Sequence, residues 1–248
     1  MILNFNNYYD LVYSLGRDCA CAMYMSKYGL RTYSGPFDWL TMPLSMNDEF
    51  QRRIECILTD FKYFWNQEDF KFLPKDPSVF NDEHCDYYEN VKTGFYFYHD
   101  FPTGIPMEES LPKVKEKYQR RIDRFYSEIL KNKRVLLIWL SHSFLTDHTL
   151  QIDLCNDVCK KFGKQIDFLL IEHNENLPLG TIEKIPSLPS HITKYTLYTR
   201  KWDEKGNPTT LGQEKICGKV FSKYKLNLQK MLAMYWMKFN NRFLKKKH

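Results

Sequence analysis

The sequence lacks any apolar run long enough to cross a bilayer. Its longest, VLLIWL (135–140) and MLAMYWM (231–237), fall far short of the ~20 residues a spanning helix needs. The N-terminus, MILNFNNYYDL, has no basic flank and no long apolar stretch, so no signal peptide is expected. No GxGxxG or GxxxxGKS/T occurs, which removes phosphate-loop nucleotide binding. Acid is scarce in one region only. From Glu214 to His248 there are ten Lys or Arg and one acid, a local +9 within a net charge of +6. The remainder carries −3, so the basic character belongs to a C-terminal helix from about 214 and its tail. That pattern reads as a solvated outer face and argues against a nucleic-acid or membrane partner.

A disulfide framework is also missing. The seven cysteines, at 19, 21, 56, 85, 155, 159 and 217, are odd in number and irregular in spacing. Several sit in apolar helical patterns, where a reduced cysteine is a small hydrophobe. Neither Cys19/Cys21 nor Cys155/Cys159 is completed into a zinc set, so no metal and no cofactor is expected. The reduced cytoplasm is the expected compartment.

What is abundant is aromatic: 17 Tyr and 18 Phe in 248 residues, which predicts a core built on rings. The order of elements predicts one α/β domain over 1–248, with three layers and a mainly parallel sheet covered by helices on both faces. Tyr9–Leu15, 134–140 and 165–172 read as uninterrupted apolar strands, and His191–Tyr198 as a last one. Helices are expected from Cys19 to about Tyr28, over Phe50–Phe64, from Ser110 to about Ile129, over Leu150–Phe162 and over 214–244. Residues 66–93 read as a loop-rich insertion, and 94–102 as a strand ending at His99.

Ligands in open α/β sheets sit at the carboxyl ends of the strands. SLGRDC (14–19), YHD (98–100), LSHS (140–143) and IEHN (171–174) deliver polar residues there. In the first, Gly16 permits a turn, Asp18 caps a helix, and Cys19 falls in that helix's first turn. Free N–H groups and the helix dipole there favour a thiolate, so a thiol pKa below ~8.5 is expected. The same N–H groups, near Arg17–Ala20, are candidates to hold an oxyanion, with Arg17 adding positive charge. His99 is the candidate base. His142, His148 and His173 read as hydrogen-bonded structural histidines.

The segment SLGRDCACAMYMSKYGLRTYSGPFDWL (14–40), with YHDF (98–101), resembles a bacterial and viral family described as papain-like cysteine peptidases. The resemblance implies Cys19 as nucleophile, His99 as base, and a binding or orienting role for Pro36, Phe37, Asp38 and Trp39. Papain-like folds set the cysteine helix against an antiparallel sheet, whereas 134–140 and 165–172 read as parallel, a layout closer to SGNH-type esterases.

The expected function is therefore a cysteine-dependent hydrolase or acyltransferase. Cys19 attacks, His99 moves the proton, Asp38 or Asp100 orients the imidazole, and Ser14, Gly16, Arg17, Phe37 and Trp39 line the pocket. The substrate is a small molecule, peptide or glycan. The alternative is a non-catalytic α/β module that binds a glycan or nucleotide-sugar in the same pocket.

Overall fold

The computed structural model describes residues 7–43, 48–75, 84–198 and 214–232. Its frame is a five-stranded sheet. Every residue of β7 (Val135–Ser141) is buried, which suits a central strand and accounts for the unbroken apolar run. It pairs in parallel with β2 (Leu11–Ser14) on one side and β8 (Asp167–His173) on the other. Next to β8 come parallel β10 (Ile192–Leu197) and an antiparallel edge strand, β9 (Ile182–Lys184). The order is β2-β7-β8-β10-β9, so the three strands read first from the sequence are mutually parallel.

Alternate residues of these strands feed two apolar clusters. Leu137, Trp139, Phe168 and Leu170 join Phe50 and Ile54 of α2 (Glu49–Leu58), Tyr118 and Phe125 of α3 (Met107–Lys131), and Cys155 and Val158 of α4 (His148–Phe162). Leu136, Ile138, Leu169 and Ile171 join Tyr24 and Met25 of α1 (Cys19–Lys27) and Val220 and Phe221 of α5 (Glu214–Phe221). The rings of Tyr24 and Phe221 stack 5.3 Å apart, joining α1 to α5.

A second sheet was not anticipated. β3 (Leu40–Thr41), β4 (Phe70–Leu73), β5 (Cys85–Asn90) and β6 (Phe95–Pro102) form an antiparallel sheet in the order β3-β6-β5-β4. The stretch 66–93 is thus not simply loop: it supplies two strands around the undescribed 76–83. The Asn90 side chain closes the β5–β6 turn, accepting from the Thr93 N–H at 2.9 Å and donating to the Phe64 carbonyl at 3.2 Å.

The expected single helix over 214–244 is also corrected. α5 ends at Phe221, and β11 (Lys225–Leu226) then pairs in parallel with β1 (Tyr8–Tyr9). The Tyr9 and Tyr224 rings lie 6.3 Å apart and the Asn227 N–H donates to the Tyr9 carbonyl at 2.8 Å. These long-range contacts override an apolar pattern that is locally helical. Helix resumes at Leu228, and the part of the expected helix beyond 232 lies outside the described residues.

Candidate functional site

The turn after β2 is built by small groups. The Ser14 hydroxyl accepts from the Gly16 N–H at 3.0 Å, and the Arg17 N–H donates to the Leu140 carbonyl at 3.1 Å, tying the turn to β7. Gly16 is required by proximity, since a β-carbon there would fall well inside contact distance of the Cys21 β-carbon. The Cys21 thiol itself donates to the Ile138 carbonyl at 3.6 Å and is wholly buried. Asp18 then caps α1, its Oδ1 accepting from the Ala20 N–H at 2.8 Å, and Cys19 is the first helical residue.

Cys19 is partly buried, but its thiol is pushed up to about 11, opposite to the expected direction. Burial raises it most, the Asp18 carboxylate raises it further, and only the Cys19 N–H opposes them. A helix N-terminus thus fails to overcome desolvation and an adjacent anion. Arg17 gives no help, because its guanidinium is committed elsewhere. Nη2 lies 3.0 Å from the Met42 carbonyl and 2.9 Å from Glu49 Oε1, with both side chains buried.

Arg17 belongs instead to a buried network under the turn. Its carbonyl accepts from Arg53 Nη2 at 2.7 Å. The Arg53 guanidinium lies over the rings of Phe95, Phe37 and Trp139, at 4.9, 5.4 and 5.7 Å, and burial lowers its pKa to about 10. Burial also pushes Glu49 up to about 7, outweighing Arg17 and Arg53.

His99 stands on the other sheet, so its strand is not the neighbour of β2. It lies in an irregularity of β6: the two-residue step Asp86–Tyr88 on β5 faces the four-residue step Phe97–Phe101. Such a bulge turns side chains out of the regular alternation. The His99 ring meets the partly buried Trp39 edge-on, with centroids 5.7 Å apart. Neither expected orienting carboxylate is idle. Asp38 accepts from Arg31 Nε at 2.9 Å, from Arg31 Nη2, and from the Gly35 N–H at 3.0 Å. Burial raises its pKa, with Arg31 opposing. Asp100 pairs with Lys117 and accepts from the Tyr118 hydroxyl at 2.9 Å.

Ser14 and Phe37 are wholly buried, Ser14 bracing the turn and Phe37 packing between Phe61 and Phe95. Trp39 is the residue of PFDW with surface to offer.

The structure adds a histidine that the sequence reading set aside. His142, just past the end of β7, places Nε2 2.8 Å from Asp18 Oδ2. Burial works against the Asp18 carboxylate, but His142, the Ala20 N–H and Arg17 outweigh it and hold its pKa below the ordinary value. LSHS follows the most apolar strand, and knowing that this strand neighbours the one carrying SLG would have pointed to it. The loop after His142 is fixed from below. Leu145 donates its N–H to Glu172 Oε2 at 3.0 Å, and its carbonyl accepts from Lys194 Nζ at 2.8 Å. Gln151 bonds both Glu172 and Lys194.

Among the described residues no group of three or more His, Cys, Asp or Glu is arranged to hold a metal, and no helix is long and apolar enough to cross a membrane. All seven cysteines are free thiols.

Residues 10–176 match the family described as "Putative papain-like cysteine peptidase (DUF1796)". A protein of Acanthamoeba polyphaga mimivirus, whose name says only that it is uncharacterized, is 30% identical over 193 residues, covering 71% of this chain and 83% of its own length. No solved structure matches.

Proposed function

Since this chain belongs to that family of papain-like cysteine peptidases, we propose that it is a cysteine-dependent acyl hydrolase with Cys19 as nucleophile. The observation that carries the reading is the turn from Ser14 to Cys19, which puts a partly accessible thiol at the first position of a capped helix. The thiolate attacks the acyl carbon of a peptide, glycan ester or small-molecule ester, expels the leaving group, and water then releases the thioester. The N–H groups of Arg17 and Ala20 are already donated to Leu140 and Asp18, so the oxyanion donors this turn can offer are the N–H groups of Asp18 and Cys19, the latter also directed at the Cys19 thiol. In this reading His99, on its bulge against Trp39, and His142, bonded to Asp18, are the two candidate bases. The scaffold in this reading is one three-layer domain, with α1 and α5 over one face of the parallel sheet and α2, α3 and α4 over the other.

The high pKa of the Cys19 thiol supports a second reading, a module that binds a glycan or nucleotide-sugar without reacting. Treatment with a peptide vinyl sulfone separates the two. The hydrolase acquires a covalent adduct on Cys19, located by peptide mass mapping and absent from Cys19→Ala. A binding module yields no adduct at Cys19, and that result overturns the hydrolase.

A further inference from the structure

We infer that His142, held by Asp18, is the imidazole that takes the proton from Cys19, with His99 serving substrate instead. This rests on the reading of Cys19 as nucleophile. Three observations lead to it. Asp18 Oδ2 and His142 Nε2 are 2.8 Å apart, and Asp18 is joined to Cys19 by a single peptide bond. The other Asp18 oxygen is fixed on the Ala20 N–H, so the carboxylate cannot swing away without uncapping α1. The loop bearing His142 is clamped at Leu145 by Glu172 and Lys194, and the Ser143 N–H donates to the Ser141 hydroxyl at 3.1 Å.

A carboxylate at Nε2 selects the tautomer with its proton on Nε2, which makes Nδ1 the basic nitrogen. The Sγ–H proton moves to Nδ1 as sulfur bonds to the acyl carbon. Asp18 then stabilises the resulting imidazolium, and Nδ1–H returns the proton to the leaving group when its bond to carbon breaks. Asp18 is a positioning residue with two opposed effects: its charge resists a lone thiolate, yet favours the imidazolium that a neighbouring thiolate requires. The two carboxylates expected to orient an imidazole are already committed, Asp38 to Arg31 and Asp100 to Lys117 and Tyr118.

The test times iodoacetamide modification of Cys19 in the whole protein from about pH 5 to about pH 9, by peptide mass spectrometry. Other groups around the pair also titrate or carry charge: Arg17 on the turn, Cys21 on α1, Asp38 on the PFDW turn, Asp48, Glu49 and Arg53 on α2, Tyr98 on β6, and His148, Glu172 and Lys194 beyond the loop. Single variants at His142 and Asp18 leave all of these in place. Wild type is expected to show a neutral-pH component that His142→Asn reduces roughly 100-fold, while His99→Asn keeps it. Asp18→Asn should lose that component and react faster at alkaline pH, a split that a purely structural cap would not produce. A His142→Asn profile superimposable on wild type, with the fold intact by circular dichroism, overturns the inference. Should His142→Asn not fold, the Asp18→Asn profile decides. Vinyl sulfone labelling keeps the two claims apart. No label on wild-type Cys19 rejects the nucleophile itself, whereas equal labelling of wild type and His142→Asn rejects His142 alone.

Discussion

Lys194 Nζ lies 2.7 Å from Glu172 Oε2, with the two side chains 1% and 0% exposed. Burial lowers the Lys194 pKa, and Glu172 opposes that fall. Two charges out of water survive only because each has further partners, here Gln151 and the Leu145 backbone.

Removing one member leaves the other uncompensated. Lys194→Met should destabilise the protein by about 3–5 kcal/mol in urea unfolding. The double variant with Glu172→Leu should recover part of that loss. A double variant as unstable as the sum of its parts would show that the pair is not a unit.

Gly16→Ala should destabilise by about 1–3 kcal/mol, because the new methyl overlaps the Cys21 β-carbon. Cys21→Ala keeps that carbon and should not rescue the variant, whereas Cys21→Gly should. Rescue by Cys21→Ala would place the clash at the sulfur instead.

Glu49 gives a pH dependence of stability. Burial raises its pKa in the folded state from the ordinary 4.5 to about 7. Between these values the folded chain binds a proton that the unfolded chain has released, so stability falls as pH rises. The contribution is fully present below about 4.5 and is lost as pH passes about 7. Glu49→Gln should flatten this slope relative to wild type in unfolding midpoints taken across that window. Parallel wild-type and variant curves would contradict it.

The thiols should divide by burial. Cys21 and Cys56 are pushed up to about 12, Cys217 to about 11, and Cys155 well above the ordinary range, in each case chiefly by burial. With a thiol reagent near neutral pH, modification should be confined to Cys19, Cys85 and Cys159, which are partly accessible, until denaturant is added. Early loss of Cys21 or Cys155 would mean that the sheet faces open readily.

The parallel sheet was legible because β7 and β8 are apolar without alternation, which only a strand covered on both faces tolerates. The Ser14–Cys19 turn was legible from Gly16 and Asp18, although Gly16 is there for lack of a β-carbon rather than for an unusual φ. The antiparallel sheet was hidden because CDYYEN mixes charge with rings and shows no clean period. His142 was passed over because its meaning depends on strand order. Nothing in LSHS shows that the strand before it runs beside the one leading to Cys19. The direction of the Cys19 pKa was misjudged because the helix end is visible in sequence, while the desolvation around the sulfur is not.

The stacking of Tyr24 on Phe221, and the seating of β11 against β1, also set an order of events during synthesis. The cysteine-bearing helix leaves the ribosome well before the side chains that cover its back face, which belong to α5 and the segment through β11. Until they emerge, Tyr24, Met25 and the adjoining sheet face stay open to water or to a chaperone. The turn holding Cys19 therefore acquires its support only when translation has run through β11, so a nascent chain carries the thiol long before it carries the site.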